Sequence, residues 1–294
     1  FVYRMRYALP EPAPLVSIVI PTKDHVETLD ACVISIAENA TYANYEIVLV
    51  ENNSEDPKTF AYYEALPERV AAASDGKGSA RVEYWPGEFN YSKIINFGVG
   101  CAKGDYLLLL NNDTKVITPG FIEELMGYLQ RPDAGVVGAK LFFADHLVQH
   151  AGILVGVRGA LAHANQDFSA KREGYLARAV RPGNFSAVTG ACQMIRRDVF
   201  ERAGGYDEEF AVGFNDADFC LRVWKAGYRT IFTPYAELYH YEFTSRGREE
   251  ANEEKLRRWK REQALFIQRW PEFFLTGDPW LGPNLSAESE YFSL

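Results

Sequence analysis

The sequence predicts an α/β fold, a mostly parallel Rossmann-like sheet with helices on both faces and a helical C-terminal tail. Three observations carry this. Residues 15–20, 45–50 and 105–110 are short, nearly continuous apolar runs, the pattern of strands buried on both faces. The segments between them place apolar side chains at helical spacing, as at Leu29, Cys32, Val33 and Ile36. Strands alternating with helices imply right-handed crossovers, hence parallel neighbours. Each apolar run also ends in a polar, oxygen-rich stretch: Pro21-Thr22-Lys23-Asp24, Glu51-Asn52-Asn53-Ser54 and Asn111-Asn112-Asp113-Thr114. Ligands of such sheets bind beyond the carboxyl ends of the strands, so these three turns are the first functional signal.

Taken in order, Pro10, Pro12 and Pro14 make an extended lead-in, and the strand at 15–20 is closed by Pro21. A helix follows over 25–39, a strand over 45–50, a helix over 57–66 and a short strand over 81–84. A helix over 94–102 then leads into the strand over 105–110. Thr118-Pro119 starts a helix that reaches about residue 130. Residues 135–143 and 188–196 read as strands. Residues 146–190, rich in Gly, Ala and His, read as loops and short strands over a cleft. A helix over 215–226 is ended by Gly227. Short strands at 229–233 and 237–240 precede a charged amphipathic helix over 246–269 and a tail punctuated by Pro and Gly.

Composition narrows the function. With 294 residues, 47% hydrophobic, the chain can bury a full core, and 24% charged residues argue against bulk disorder. A net charge of −9 argues against a nucleic-acid partner. Cys32, Cys101, Cys192 and Cys220 sit in apolar stretches without metal-ligand spacing, as expected of free thiols in a reducing compartment. No apolar run approaches the roughly 20 residues of a membrane span, and no signal-peptide pattern opens the chain. A cytoplasmic protein is expected. The start at Phe1 suggests a domain of a longer protein.

Certain residues can carry chemistry. Asn111 and Asp113 flank a turn directly after a strand and can point two oxygens at one Mg²⁺ or Mn²⁺; a plain Asx-turn is the structural alternative. Asp216 and Asp218 open a helix, where carboxylates also stabilise the dipole. At i and i+2 they do not share a face, so one of them is the candidate general base. His240 can supply a nitrogen ligand, and Arg246 a planar fork for phosphate. His150 and His163 are candidates for lining an acceptor cleft. The mixed charges of the long C-terminal helix fit packing on its own domain better than docking on a membrane, though peripheral membrane association stays open.

Several stretches, in order, carry a resemblance. They are Val16-Ser17-Ile18-Val19-Ile20-Pro21-Thr22, Leu109-Leu110-Asn111-Asn112-Asp113, Gly204-Gly205-Tyr206-Asp207-Glu208 and Asn215-Asp216-Ala217-Asp218-Phe219-Cys220-Leu221-Arg222. Phe89-Asn90-Tyr91-Ser92, Gln149-His150-Ala151-Gly152 and Tyr239-His240 add to them. Together they resemble the family 2 glycosyltransferases of GT-A fold, in particular bacterial members that build O-antigens, capsules and other surface polysaccharides.

The resemblance implies a metal-dependent inverting transfer from a nucleotide-sugar, a UDP-hexose or dTDP-rhamnose, to an oligosaccharide or lipid-linked glycan. It implies a nucleotide-binding half over 1–114, an acceptor-binding and catalytic half over 115–246, and a helix and tail over 247–294. Pro21, Thr22, Asp24, Glu51, Asn53, Lys93, Asn96, Asn112 and Arg246 would hold the donor. Asn111, Asp113 and His240 would hold the divalent cation, Asp216 would be the base, and Trp85, His150, His163 and Asp218 would face the acceptor. Asn111 and Asn215 stand where the family carries Asp and Glu. These departures keep one rival open, a non-catalytic glycan-binding or scaffold module of a larger synthase. A nucleotidyltransferase or dinucleotide oxidoreductase would need a Gly-rich loop straight after the first strand, and Pro21-Thr22-Lys23-Asp24 has no glycine.

Overall fold

The computed structural model describes residues 4–242 and 252–294. In chain order the elements are β1 (Val16–Thr22), α1 (Val26–Asn39), β2 (Tyr45–Glu51), α2 (Pro57–Ala73), β3 (Gly78–Tyr84), α3 (Tyr91–Cys101), β4 (Tyr106–Leu110) and β5 (Thr114–Val116). Then follow α4 (Phe121–Leu129), β6 (Ala134–Phe142), β7 (Val148–His150), β8 (Ile153–Val155), β9 (Leu161–His163), β10 (Gly183–Phe185) and β11 (Cys192–Arg196). The chain closes with α5 (Arg197–Arg202), α6 (Asn215–Lys225), β12 (Arg229–His240), α7 (Glu253–Arg269) and α8 (Pro271–Thr276).

The central sheet runs β3-β2-β1-β4-β11-β6-β12-β10. β1 is parallel to both β2 and β4, and β11 is antiparallel to β4 and β6. The chain therefore steps outward from β1 to β3 and returns to β4 on the other side of β1. That reversal is a topological switch point, and it opens a crevice between the carboxyl ends of β1 and β4. Alternate side chains of β1 serve two cores: Val19 packs into one, Ile18 and Ile20 into the other, all fully buried.

Differences from the sequence reading have local causes. α2 runs past Pro67, because Tyr62, Tyr63, Leu66 and Val70 continue one buried face across it. α3 starts three residues earlier than its apolar spacing indicated, because the Asn90 side chain accepts the Lys93 N–H as an N-cap. β12 is one strand, not two. Its register against β6 shifts between Phe232 and Glu237, where Pro234 offers no N–H to the ladder. Short β5 pairs with the end of β12 and sets His240 opposite Thr114. Residues 188–191 are loop, not strand, so β11 begins at Cys192. α7 buries Glu262 and Phe266 against the domain. Among the described residues no helix is long and apolar enough to cross a membrane.

Gly98 lets α3 lie close on the sheet. A Cβ there would stand 2.6 Å from both Val19 Cγ1 and Val50 Cγ2. Overpacking of this kind costs about 1–3 kcal/mol, so Gly98→Ala is expected to lower the urea midpoint by that equivalent. An unchanged midpoint would mean that α3 does not approach so closely.

Candidate active site

A cleft of about 780 Å³ opens at the switch point. The end of β1 contributes Pro21 and Thr22 and the turn after it Asp24, the turn after β2 contributes Asn53, and the turn after β4 contributes Asn111, Asn112 and Asp113. The loop before β11 adds Thr189 and Gly190, the start of α6 adds Asn215 and Asp216, and the end of β12 adds His240. Nine of the site residues expected from the sequence thus share one cavity, delivered by five different segments.

Asp216 is held by the backbone. Its Oδ2 accepts the Gly190 N–H at 2.8 Å and its Oδ1 accepts the Ala217 N–H at 2.7 Å. A carboxylate oxygen has two lone pairs, so each keeps one for a further donor. A Cβ at residue 190 would lie 3.1 Å from the Tyr206 hydroxyl and 3.4 Å from Asp216 Cβ, so a side chain there would press on that hydroxyl. Across the cleft, Asn112 Nδ2 donates to Thr22 Oγ1 at 3.3 Å and ties the β1 and β4 turns together.

The cation candidates also converge. His240 Nδ1 lies 2.7 Å from Gln149 Oε1, while Gln149 Nε2 donates to the His240 carbonyl at 3.3 Å. An amide oxygen only accepts, so in the neutral ring Nδ1 carries the proton and Nε2 keeps its lone pair. Nε2 faces Asp113 Oδ1 at 3.2 Å and Asn111 Nδ2 at 3.2 Å. Asp113 Oδ1 is buried and finds no hydrogen-bond donor. Two electron-rich atoms held that close, one of them orphaned, fit a site built for a cation. Asn111 is the weaker member, because its carbonyl oxygen already accepts from the Tyr91 hydroxyl at 3.0 Å. Among the described residues no three His, Cys, Asp or Glu side chains form a metal-holding group, so the set is two such side chains and an amide.

Other expected site residues lie elsewhere. Asp218 is fully buried and faces away from the cleft, accepting from Arg222, Arg269 and the Trp270 indole. It braces α6 and is not part of the cleft lining. Asn96 has both ends of its amide engaged by the backbone of Tyr206, at 2.8 and 2.9 Å, so it fastens that loop, and it lies outside the cleft lining. Glu51 turns back to accept the Ser54 N–H. Lys93 is half-buried on α3, outside the cleft lining. Trp85 packs on Phe97 and donates to the Glu88 carbonyl; the aromatic at the cleft lip is Phe89, half exposed. His150 and His163 pair with each other behind the lining, Nδ1 to Nδ1 at 3.3 Å. Arg246 lies outside the described residues.

Asp24 lines the cleft, but its Oδ1 is engaged by the N–H groups of Glu55 and Asp56. Sequence reasoning missed Gln149, Tyr91 and Gly190 as parts of the site. The first two stood in stretches noted only for the resemblance, without a role. The four cysteines are free, and burial pushes the thiols of Cys32, Cys192 and Cys220 up to about 12.

Burial, with the neighbouring His163 and His240, holds the His150 imidazole well below its ordinary range. In the unfolded chain it protonates near pH 6.5, so below that pH the unfolded state binds the extra proton and folding loses stability. The loss is at most about 1.4 kcal/mol per pH unit for this group. His150→Gln is expected to flatten the fall in stability between about pH 6.5 and 5, as followed by urea titration. An unchanged slope would contradict this.

The sheet order and the strand-end cleft define a protein of GT-A architecture. The chain belongs to glycosyl transferase family 2, whose model matches residues 17–204. It is 39% identical, over its whole length, to 31% of an uncharacterised protein of Sinorhizobium fredii. It is 35% identical over 97% of its length to 21% of the O-antigen biosynthesis protein RfbC of Myxococcus xanthus. The chain thus spans about a third or less of these two relatives. Over 61% of its length it is 29% identical to an N-acetylglucosaminyl-diphospho-decaprenol L-rhamnosyltransferase of Mycobacterium tuberculosis, covering 67% of that protein. Among solved structures, GalNAc-T7 with UDP, GalNAc and Mn²⁺ superposes at a TM-score of 0.66 and 15% identity, over 95% of this chain and 53% of that one. The mannosyltransferase PcManGT of Pyrobaculum calidifontis with GDP-Man and Mn²⁺ superposes at 0.61 and 16%, over 93% and 72%. These likenesses establish the GT-A fold.

Proposed function

We propose that the chain is the catalytic domain of a metal-dependent inverting glycosyltransferase. It takes its sugar from a UDP-hexose or dTDP-rhamnose and adds it to an oligosaccharide or lipid-linked glycan during bacterial surface-polysaccharide synthesis, at the cytoplasmic face of the membrane. The observation that carries this is the placing of Asp216 and Asp113 in one cleft, the first tethered by two backbone N–H groups and the second 3.2 Å from the His240 Nε2. The Myxococcus and Mycobacterium relatives support the polysaccharide setting.

Cleft charge supports the cation. Asp24, Glu88, Asp113, Asp216 and Glu242 line the cavity, with Lys23 as its lone ammonium group among the described residues. A nucleoside diphosphate entering such a field needs a positive counter-charge. Asp113 and His240, with Asn111 beside them, would hold a divalent cation, which when bound neutralises the charge developing on the leaving diphosphate. Thr22, Asn53 and Asn112 would seat the nucleotide. Asp216 would take the acceptor hydroxyl proton as that oxygen bonds to the anomeric carbon. The electron pair of the breaking bond leaves with the diphosphate oxygen, and one displacement inverts the centre.

The test is nucleotide release from a panel of UDP-hexoses and dTDP-rhamnose with Mn²⁺ and a glycan primer, the product anomer being read by NMR. Inverted product from one donor supports the reading. No release from any donor favours the non-catalytic module, which Asn111 and Asn215 keep as the alternative.

A further inference from the structure

The start of α6, and with it the position of Asp216, is set by the preceding loop at residues 210–214. That loop is gripped from two sides. From α3, the Tyr91 N–H donates to the Ala211 carbonyl at 2.7 Å and the Ser92 hydroxyl to the Phe210 carbonyl at 2.5 Å. From α7, the two carboxylate oxygens of Glu262 accept the N–H groups of Ala211, at 2.9 Å, and Gly213, at 2.8 Å. Glu262 is 1% exposed. Burying a carboxylate is costly unless donors satisfy it, and these donors belong to the loop that launches α6.

Phe214 follows in the left-handed region at φ 63°, with its ring against Trp259 and Phe266 of α7, at 5.8 and 5.3 Å. Further along, Arg269 reaches Asp207, Glu209 and Asp218, and the Trp270 indole donates to Asp218 at 3.0 Å. The contacts made by α7 lie beyond residue 204, where the family match ends.

We propose that Glu262 is a positioning residue for transfer. Its buried carboxylate fixes the 211–213 backbone and so sets the reach of the Asp216 carboxylate toward the acceptor hydroxyl. This rests on Asp216 being the base. A displacement of about 1 Å at a reacting group can cost on the order of 100-fold in rate. The hydrogen bonds of the Glu262 carboxylate go to the 211–213 loop, and not to the turns after β1 and β4, which would seat the nucleotide.

The experiment is a double-mutant cycle of Glu262→Gln and Asp216→Asn, with kcat, donor KM and nucleotide affinity measured. Glu262→Gln alone is expected to lower kcat about 10–100-fold with KM and affinity within about twofold. In the Asp216→Asn background the same change is expected to cost less than about twofold, because no base is left to misplace. A wild-type kcat for Glu262→Gln, or an equal loss in both backgrounds, overturns the proposal. Should Glu262→Gln fail to fold, Glu262→Asp, which keeps the charge on a shorter arm, is read by the same criteria. If the unmodified protein releases no nucleotide from any donor, the Asp216 reading itself has failed, and that is seen before any variant is made.

Discussion

Asp216→Asn is expected to lower kcat by about 10²–10⁴-fold, the usual contribution of a positioned general base, while nucleotide affinity stays within about threefold. The asymmetry follows from the geometry. Asp216 is anchored at Gly190 and Ala217, on the α6 side of the cleft, whereas Thr22 ends β1 and Asn112 and Asp113 belong to the turn after β4. An amide in its place keeps an acceptor for one of the two N–H groups and turns an NH₂ toward the other. The variant therefore folds with a modest loss, and its melting temperature is the control. Steady-state turnover and calorimetric nucleotide binding check the outcome. Near-normal turnover would remove Asp216 from the mechanism.

Asp113→Ala has the second largest expected effect. It removes the carboxylate that faces His240 Nε2, and leaves only the imidazole and the Asn111 amide, whose carbonyl is already held by Tyr91. Mn²⁺ affinity, followed by the EPR signal of the free ion, is expected to fall by more than about tenfold, and turnover to fall with it. Unchanged Mn²⁺ affinity would place the cation elsewhere. Gln149→Leu is the milder companion, since it frees the His240 tautomer without deleting a ligand.

The sequence was most legible where periodicity and strand-end chemistry agree. The apolar runs of β1, β2 and β4 and the polar turns after β1 and β4 were readable because a strand buried on both faces leaves only its ends free for function. Asp216 was separable from Asp218 in principle, since i and i+2 face apart on a helix. Which of the two faces the cleft depended on Arg269 and Trp270, some fifty residues away. Asn96 was misread for the same reason: its partner is the Tyr206 backbone, and no local pattern reports a contact across 110 positions. β12 looked like two strands because Pro234 interrupts the hydrogen-bond ladder, though not the strand. Gln149 was invisible as a partner of His240, because the pairing of β6 with β7 and β12 that brings them together is set by tertiary register.

Calorimetric titration of the protein with UDP and with dTDP, each with and without Mn²⁺, tests the central claim most directly. Binding of one nucleotide that strengthens at least tenfold with Mn²⁺ is the expected result, because the acidic cleft needs a cation to receive a diphosphate. Equal binding with and without the ion would leave a nucleotide pocket and contradict the Asp113 and His240 cation site. Binding of neither nucleotide in the presence of Mn²⁺ would contradict the donor assignment altogether.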